Sequence, residues 1–326
     1  MHGTFPITRS VPEATALAAA IAKLYPMADI PYCGLASRNM ADVFLVRDGT
    51  TQYAARVWRH EIQTEDEVRY QLDLLAHLSS NGLSVLTPVP RTDDTLYFSI
   101  PAPEGQRFVA LFHWVDGDLL GYSEEHHVYK RAGELIAGIQ KLGEDFRPKT
   151  ERPFDLAGKI RRPLPALRQM ASHRPDDLAF FEAAADAVCE RLSALEGEDV
   201  PTGVVHGDFH AGNACVTADG TVILWDFDCC ATDWFCRDLV CFEWGNHLVG
   251  IDQAYSDSFI EGYESVRPLG ETERKHWPLL WAAQELYYLA AVADVMDVAG
   301  TAHMSFKGLD HAFKAIRSTV AAAQVM

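Results

Sequence analysis

The sequence predicts an α+β protein, with a small β-sheet lobe followed by a larger, mainly helical lobe. Before residue 112 short β-rich runs dominate, with one amphipathic helix among them, whereas helical spacing prevails from residue 123 onward. The chain has 326 residues, which is long for one hydrophobic core and favours two lobes. We therefore expect an N-terminal lobe over residues 1–112 and a C-terminal helical lobe over residues 113–326.

The first lobe is predicted to begin with an Ala-rich helix over residues 12–25. Three β-rich runs follow, at residues 30–35, 43–47 and 52–59. Between the first two lies the small, polar segment 36–42, which contains Ser37, Asn39 and Met40. Its backbone N–H groups could cover phosphates, although an ordinary surface hairpin is the alternative interpretation.

A second helix is indicated by a capping box, with Thr64 as the N-cap and Glu67 three residues later. It is expected to end near residues 81–82. Further strands are expected at residues 85–90, 96–100 and 107–115. In the second lobe, helices are predicted at residues 124–142, 177–195, 235–248, 253–263, 275–298 and 303–323.

The composition disfavours two classes of partner. The formal net charge is −18, from 28 basic and 46 acidic residues, which argues against nucleic acid or an anionic membrane as the main partner. The charge fits either a cationic substrate or a generally acidic, solvated surface.

Residues 1–10 lack the apolar segment of a signal peptide, and no apolar run is long enough to span a membrane. Seven cysteines without a C-x-x-C pair indicate reduced thiols, so a cytoplasmic protein is predicted.

The chemistry is concentrated in residues 204–228. Two β-rich runs, at residues 203–205 and 221–225, bracket a turn, and carboxylates follow each run. Asp208 could accept a proton from a hydroxyl group. The oxygen of Asn213 and the carboxylate of Asp226, expected on the neighbouring strand, are the hard donors that hold Mg²⁺ on ATP phosphates.

Residues 206–213 (HGDFHAGN) together with residues 225–228 (WDFD) resemble the motif of the aminoglycoside phosphotransferase/choline kinase superfamily. Type II homoserine kinases and a bacterial stress-response kinase also belong to this superfamily. The resemblance covers nearly the whole chain in order. It implies a protein-kinase-like, two-lobed fold, with ATP and Mg²⁺ as cofactors.

The resemblance also implies roles for single residues of the motif. Asp208 matches the catalytic Asp, and Asn213 and Asp226 match the metal-binding pair. Asp238 matches an Asp that supports the catalytic loop, and His206 is expected to pack against that loop.

Nucleotide contacts are implied for residues of the first lobe. Arg56 stands where kinases place the Lys of the third strand, and would hold the α- and β-phosphates. Its partner on the helix is either Gln71, by register, or Glu67, which lies one turn earlier and also fits the capping box. The backbone of the segment that connects the lobes would face the adenine; this segment is Phe112, His113, Trp114 and Val115.

Two acidic residues are candidates for contact with the metal or the substrate. Asp228 could be a second metal ligand, could lie near the substrate, or could be a polar turn residue. Glu285 lies in the aromatic tract 277–288, which is either core or a substrate wall; in the second case Glu285 or Asp294 would face a cationic group.

The predicted function is transfer of the γ-phosphate of Mg-ATP to a hydroxyl of a small, amine-bearing molecule, of aminoglycoside, homoserine or amino-alcohol type. One alternative is a Ser/Thr protein kinase of the stress-response type. A second is a metallohydrolase that uses the pattern His206-x-Asp208-x-His210. A third is an ATP-binding regulator without activity, which the intact Asp208, Asn213 and Asp226 disfavour.

Overall fold

The protein is described by a computed structural model that covers residues 5, 7–27, 30–38, 40–195, 197–299 and 306–326, without the side chains of residues 295–299 and 306–307. It forms two compact units, both built from several stretches of chain. The first unit contains Met1–Ser123, Asp145–Arg152 and Ala214–Asp228; the second contains Glu124–Glu144, Pro153–Asn213 and Cys229–Met326. The boundary predicted between residues 112 and 113 falls inside the first unit.

An antiparallel five-stranded sheet dominates the first unit. Its strands are β1 (Tyr32–Arg38), β2 (Ala41–Asp48), β3 (Thr51–Trp58), β4 (Tyr97–Ala102) and β5 (Gly105–His113), in the order β1-β2-β3-β5-β4. Alternate residues of the strands face helix α1 (Ala14–Leu24), as the period-2 pattern requires. Leu17 and Ile21 of α1 pack there against Phe44, Val57 and Val109. The side chains on the other face of β3 are therefore available for a site.

Helix α2 (Glu65–Ser80) begins where the sequence predicts it. The Thr64 hydroxyl accepts from the backbone N–H of Glu67, and the Glu67 carboxylate accepts from the backbone N–H of Thr64, so the predicted capping box is confirmed. Three apolar residues of its inner face, Leu72, Leu75 and Leu78, are buried. The helix is thereby fixed to the first unit along most of its length.

A second, smaller sheet of the first unit carries the candidate metal ligand Asp226. It consists of β6 (Asp118–Leu119), β8 (Ala214–Val216) and β9 (Val222–Leu224), in the order β6-β8-β9. Asp226 follows β9 by two residues and has a left-handed backbone, with φ at 59°. Asp and Asn tolerate this conformation better than most residues do.

The second unit is mainly helical. Its helices are α3 (His126–Gly143), α4 (Leu156–Arg161), α5 (Leu164–Met170), α6 (Pro175–Leu195), α7 (Cys236–Val249), α8 (Gln253–Val266), α9 (Glu271–Ala299) and α10 (Phe306–Ala322). The long helix α9 runs through the main core, where Ala283, Leu286 and Leu289 are buried. A two-stranded sheet of β7 (Thr202–Val205) and β10 (Ala231–Trp234) completes the unit.

Helices α3 and α8 cross at very short range because each has a glycine at the crossing. A Cβ atom on Gly133 would lie 1.9 Å from the carbonyl oxygen of Phe259, and one on Gly262 would lie 1.9 Å from that of Lys130. The close approach brings Phe259 of α8 towards the aromatic residues that support the loop after β7.

Several details of the expected secondary structure were wrong. Residues 85–90 form no strand of their own, and only single bridges join Val85 to Leu224 and Pro88 to Phe112. The loop expected at residues 36–42 is shorter, because β1 extends to Arg38 and β2 begins at Ala41; the two strands pair as a hairpin, which was the alternative interpretation. The short helices α4 and α5 were not expected, since neither is long enough to show a clear helical period.

The pairing of the strands around the motif also differs from expectation. The runs at residues 203–205 and 221–225 were expected to lie side by side, but β7 pairs with β10 and β9 pairs with β8. The strand beside β9 is therefore β8, a short strand that follows the motif, whereas the sequence pattern predicted β7 at that place. Asp208 and Asp226 consequently follow strands of different sheets, in different units.

Among the described residues, the structure contains no helix that is both long enough and apolar enough to cross a membrane.

Candidate active site

The loop after β7 carries the predicted catalytic residue and is fixed by aromatic packing. Phe209 is fully buried, and its ring stacks on Phe242 at 5.4 Å and on Phe259 at 5.6 Å between ring centroids. His206 is also buried, with its ring edge-on to Phe209 at 5.4 Å. Phe209 alternates with the half-buried Asp208, so burying one ring holds the neighbouring carboxylate near the surface of the unit.

The backbone of this loop is held by Asp238, in the first turn of α7. Its carboxylate accepts from the backbone N–H of His206 at 2.9 Å and from that of Gly207 at 2.8 Å. Gly207 has φ at 82°, and a Cβ there would lie 2.1 Å from the carbonyl oxygen of Cys229, so only glycine fits. Burial raises the pKa of Asp238, while His206 and the two N–H donors favour its ionised form. These contacts support the loop-supporting role proposed for Asp238 and His206.

We expect Asp238→Asn to lower the free energy of unfolding by about 2 kcal/mol, because one of two charge-assisted bonds is lost and an amide group then faces a backbone donor. Activity should fall as well, since Asp208 is positioned by the same loop. The measurement is urea unfolding together with kcat. Asp176→Asn is the matched control, because Asp176 is an exposed carboxylate in the first turn of α6. Equal stabilities of the two variants would contradict the role of Asp238.

Asn213 closes the same loop. Its side-chain nitrogen donates to the backbone carbonyl of Asp208 at 2.8 Å, and the residue is 7% exposed. This bond leaves the carboxamide oxygen as the atom that can bind a metal ion. On the other side of Asp208, the Cys241 sulfur lies 3.9 Å from its Oδ1. The donor chemistry at Asn213 therefore fits the predicted ligand role, which stays a proposal.

The first unit contributes a group of charged residues around Arg56. One guanidinium nitrogen of Arg56 donates to Asp226 at 2.9 Å and to Asp228 at 2.5 Å. The guanidinium also lies 5.7 Å from the ring of Trp58. Burial lowers the pKa of Arg56, but the two carboxylates outweigh it and hold the pKa above its ordinary value. A permanently charged cation is thus fixed beside the candidate metal ligand Asp226.

Asp228 joins this group to the rest of the first unit. Its Oδ1 accepts from the Trp58 indole and from Gln71, both at 3.0 Å, while its Oδ2 is bound to Arg56. Burial and the neighbouring Asp226 raise the pKa of Asp228, against the effect of Arg56. Because both oxygens are engaged, this arrangement favours a role in positioning Arg56 over direct contact with substrate.

Neither predicted helix partner forms a hydrogen bond or an ion pair with Arg56 in the described part of the chain. Gln71 is connected to Arg56 only indirectly, because it donates a hydrogen bond to Asp228, which in turn binds Arg56. Glu67 is used by the capping box, and its other oxygen accepts from Arg152 at 3.3 Å. The position that the resemblance gives to a Glu is therefore occupied by a neutral side chain, and Asp228 supplies the charge.

The remaining nucleotide candidates lie in the first unit. Ser37 is in the exposed strand β1, Met40 is in the turn before β2, and Asn39 lies outside the described residues. The backbone N–H of His113 donates to Thr87, and that of Trp114 donates to Gln52. In the described structure Val115 has no such bond, so its N–H is the donor of the segment 112–115 that could meet an adenine.

The structure does not support the alternative of a zinc site at His206, Asp208 and His210. Within the described ranges, no three or more His, Cys, Asp and Glu side chains are grouped so that they could hold a metal ion. His206 is buried against Phe209, and Nδ1 of His210 accepts from the backbone N–H of Gly212 at 3.0 Å. The two histidines therefore serve the conformation of the loop.

Several contributing residues were missed from the sequence. Trp58 lies two residues after Arg56, so strand alternation could have placed both on one face. Gln63 and Arg152 each donate to the backbone carbonyl of Asp228 at 2.8 Å, and no pattern in the sequence indicates these contacts. Arg237, next to Asp238, donates to the carbonyl of Gly207 at 3.0 Å.

Solved structures resemble the whole chain. An amicoumacin kinase, in complex with AMP-PNP, Ca²⁺ and Ami, superimposes with a TM-score of 0.78 at 16% identity, covering 96% of this chain and 94% of that one. A microcompartment-associated aminopropanol kinase superimposes with a TM-score of 0.71 at 20% identity, covering 95% and 96%. These likenesses confirm the protein-kinase-like α+β fold.

The sequence gives the family. The profile of the "Phosphotransferase enzyme family" matches residues 32–273, and the chain belongs to this family. Homoserine kinase of Allorhizobium ampelinum is 29% identical over 249 residues, which cover 74% of this chain and 73% of that protein. The protein is accordingly an enzyme, a kinase-type phosphotransferase with an alcohol group as acceptor.

Proposed function

We propose that the enzyme transfers the γ-phosphate of Mg-ATP to a hydroxyl of a small molecule that also bears an amine. Asp208 accepts the proton of the attacking hydroxyl, and Asn213 and Asp226 supply the oxygen ligands of Mg²⁺. Arg56 holds the nucleotide phosphates, with Asp228 and Gln71 fixing its direction. The metal ion would neutralise charge on the phosphates. Everything else required of the protein is positioning, which Asp238 and the buried Phe209 support.

The amine is inferred from a buried carboxylate in the second unit. Glu285 of α9 is 7% exposed, and burial raises its pKa. It lies beside Trp244 of α7, whose ring is 4.9 Å from that of Tyr288. An ammonium group offers such a carboxylate an ion pair, and the aromatic rings offer cation–π contacts.

Glu285 and Asp208 lie beside residues that are one turn apart on helix α7. Cys241 contacts Asp208, and Trp244 follows it by three residues, which places both on neighbouring positions of one helix face. This adjacency is the observation that carries the proposal. A molecule that reaches from Asp208 to Glu285 would need its hydroxyl and its amine only a few bonds apart. Homoserine and aminopropanol, named for two of the similar proteins, have that spacing.

The test is an ADP-release assay with homoserine, 1-amino-2-propanol, choline and aminoglycosides as acceptors. We expect one amine-bearing class to raise turnover well above ATP hydrolysis alone. For that acceptor, Glu285→Gln should raise the Michaelis constant about 10- to 100-fold with a smaller effect on kcat, as expected for loss of one buried ion pair.

Glu243→Gln is the matched control. Glu243 is also a partly buried carboxylate beside an indole, since it accepts from Trp277 at 2.8 Å, but it lies on another face of α7. Equal effects of the two substitutions would contradict an amine site at Glu285. If no hydroxylated acceptor raised turnover, the proposed small-molecule function would fail as a whole.

A further inference from the structure

The first unit contains a second group of charged residues, away from Arg56, which we call the arginine cluster. It consists of Arg9, Arg38, Arg59 and Arg107, together with the carboxylates Asp42 and Glu104. The protein carries a formal net charge of −18, so a local excess of arginine is unexpected. None of these residues belongs to the proposed active site.

Asp42 is the centre of the cluster. It is fully buried and accepts from Arg9 and from Arg107, each at 2.6 Å, while Arg38 lies 3.6 Å away. Arg107 is fully buried too, and it donates to the backbone carbonyls of Val57, Trp58 and Ser10. Glu104 lies 3.8 Å from Arg107 and accepts from the backbone N–H of Ser10. These bonds use both oxygens of Asp42 and most donors of Arg107.

Arg59 has no comparable partner. It is 7% exposed, yet its guanidinium makes neither a hydrogen bond nor an ion pair with any residue that the structure describes. Burial lowers its pKa, and so do Arg9, Arg107 and Arg38, with only Asp42 acting in the opposite direction. None of its guanidinium nitrogens is among the buried, unpartnered side-chain atoms of the described residues, so these donors reach solvent and are open to an anionic acceptor.

The charges of the cluster do not balance. Four guanidinium groups face two carboxylates, which leaves an excess of two positive charges. The Nε–H of Arg9 is also buried without an acceptor among the described atoms. Arg38 is 45% exposed, so the cluster is open to solvent on that side. A ligand with two negative charges and several acceptor oxygens would neutralise the excess positive charge and accept hydrogen bonds from the guanidinium N–H groups that lack an acceptor among the described residues.

Strand alternation separates this cluster from the nucleotide candidates. Arg56 and Trp58 point from β3 to Asp226 and Asp228. Val57 lies on the opposite face, in the core against α1, and Arg59 follows it by two residues. Arg107 is two residues before Val109, which is in the same core. The cluster thus lies at the end of the α1 face of the sheet.

We propose that the arginine cluster is a binding site for a doubly charged oxyanion of phosphate or sulfate size, held by Arg59, Arg9 and Arg38. The anion would connect the segment around Arg9 to the ends of β1 and β3. It would stabilise the first unit without taking part in phosphoryl transfer.

The test measures the thermal midpoint of the full chain in phosphate, in sulfate and in chloride at equal ionic strength. We expect about 20 mM phosphate or sulfate to raise the midpoint by about 2 °C or more over chloride. Arg59→Gln should lose this rise, and Arg38→Gln should weaken it. Without phosphate, Arg59→Gln should be at least as stable as the unchanged protein, because repulsion from the positive charges of Arg9, Arg38 and Arg107 is removed.

Two further variants separate the possible origins of the response. Arg47→Gln removes an exposed arginine of β2 that stacks on Tyr32, and it should keep the full response. Arg56→Gln should keep it as well. A response lost in Arg56→Gln but kept in Arg59→Gln would assign the anion to the nucleotide site and overturn the proposal, as would a midpoint no higher in phosphate than in chloride.

Ethyl phosphate distinguishes a free ion from the phosphate group of a phosphomonoester. A rise with ethyl phosphate that Arg59→Gln abolishes would show that the cluster accepts phosphomonoesters. A rise with orthophosphate alone, again dependent on Arg59, would show that it accepts the free ion. If neither compound gave a response that depends on Arg59, the proposal would be wrong.

Discussion

Replacing Asp208 by Asn should lower kcat by about 10² or more, the size of a lost general base. Asn keeps the shape of the side chain and one acceptor oxygen, but it cannot take a proton. The backbone carbonyl of Asp208, which accepts from Asn213, is unchanged by the substitution. The loop is fixed by Phe209 and Asp238, so the fold should be kept. The Michaelis constant for ATP should change little, because the missing interaction is with the acceptor.

The measurement is steady-state kinetics with the acceptor found in the screen, together with the unfolding midpoint. Asp199→Asn serves as the control, because Asp199 is exposed and its substitution changes the net charge by the same amount. If Asp208→Asn retained more than about a tenth of the unchanged kcat, Asp208 would not be the base.

Asp226→Asn should lower activity by a similar or larger factor, because it weakens binding of the metal ion. Loss of the charged ligand should lower kcat/KM for Mg-ATP by about 10²–10³, equivalent to about 3–4 kcal/mol, and should raise the Mg²⁺ concentration that gives half-maximal activity. Asn is chosen because Asp226 has φ at 59°, where Asn is tolerated and Ala would add backbone strain. Arg56 keeps its bond to Asp228 in this variant.

A Mg²⁺ titration at fixed ATP checks this prediction. Asp219→Asn is the matched control, because Asp219 is an exposed carboxylate in the turn between β8 and β9, the same hairpin that leads to Asp226. An unchanged Mg²⁺ requirement in Asp226→Asn would remove this residue from the metal site.

The residues recognisable from the sequence are those whose role follows from short spacing. Asp208 and Asn213 are five residues apart in one loop. The capping box of Thr64 and Glu67 is likewise a property of four consecutive residues, and the structure confirms it. Such features depend on local backbone geometry, which nearby residues largely determine.

The partner of Arg56 shows where this reasoning fails. The resemblance directed attention to the helix, at Glu67 or Gln71, but the guanidinium binds Asp226 and Asp228, 170 and 172 residues along the chain. Nothing in the spacing of residues so far apart selects one carboxylate over another. That choice is made when the β8–β9 hairpin packs with the five-stranded sheet in one unit.

The sequence by itself determined the family, the α+β class and the order of the main helices and strands, because these follow from a local motif and from hydrophobic periodicity. The tertiary structure decided which charges are paired. It gave Arg56 two carboxylates, left Arg59 without any among the described residues, and placed Glu285 in a buried position beside Trp244. The physical reason is that burial makes the pairing of a charge important, and burial depends on segments brought together from distant parts of the chain.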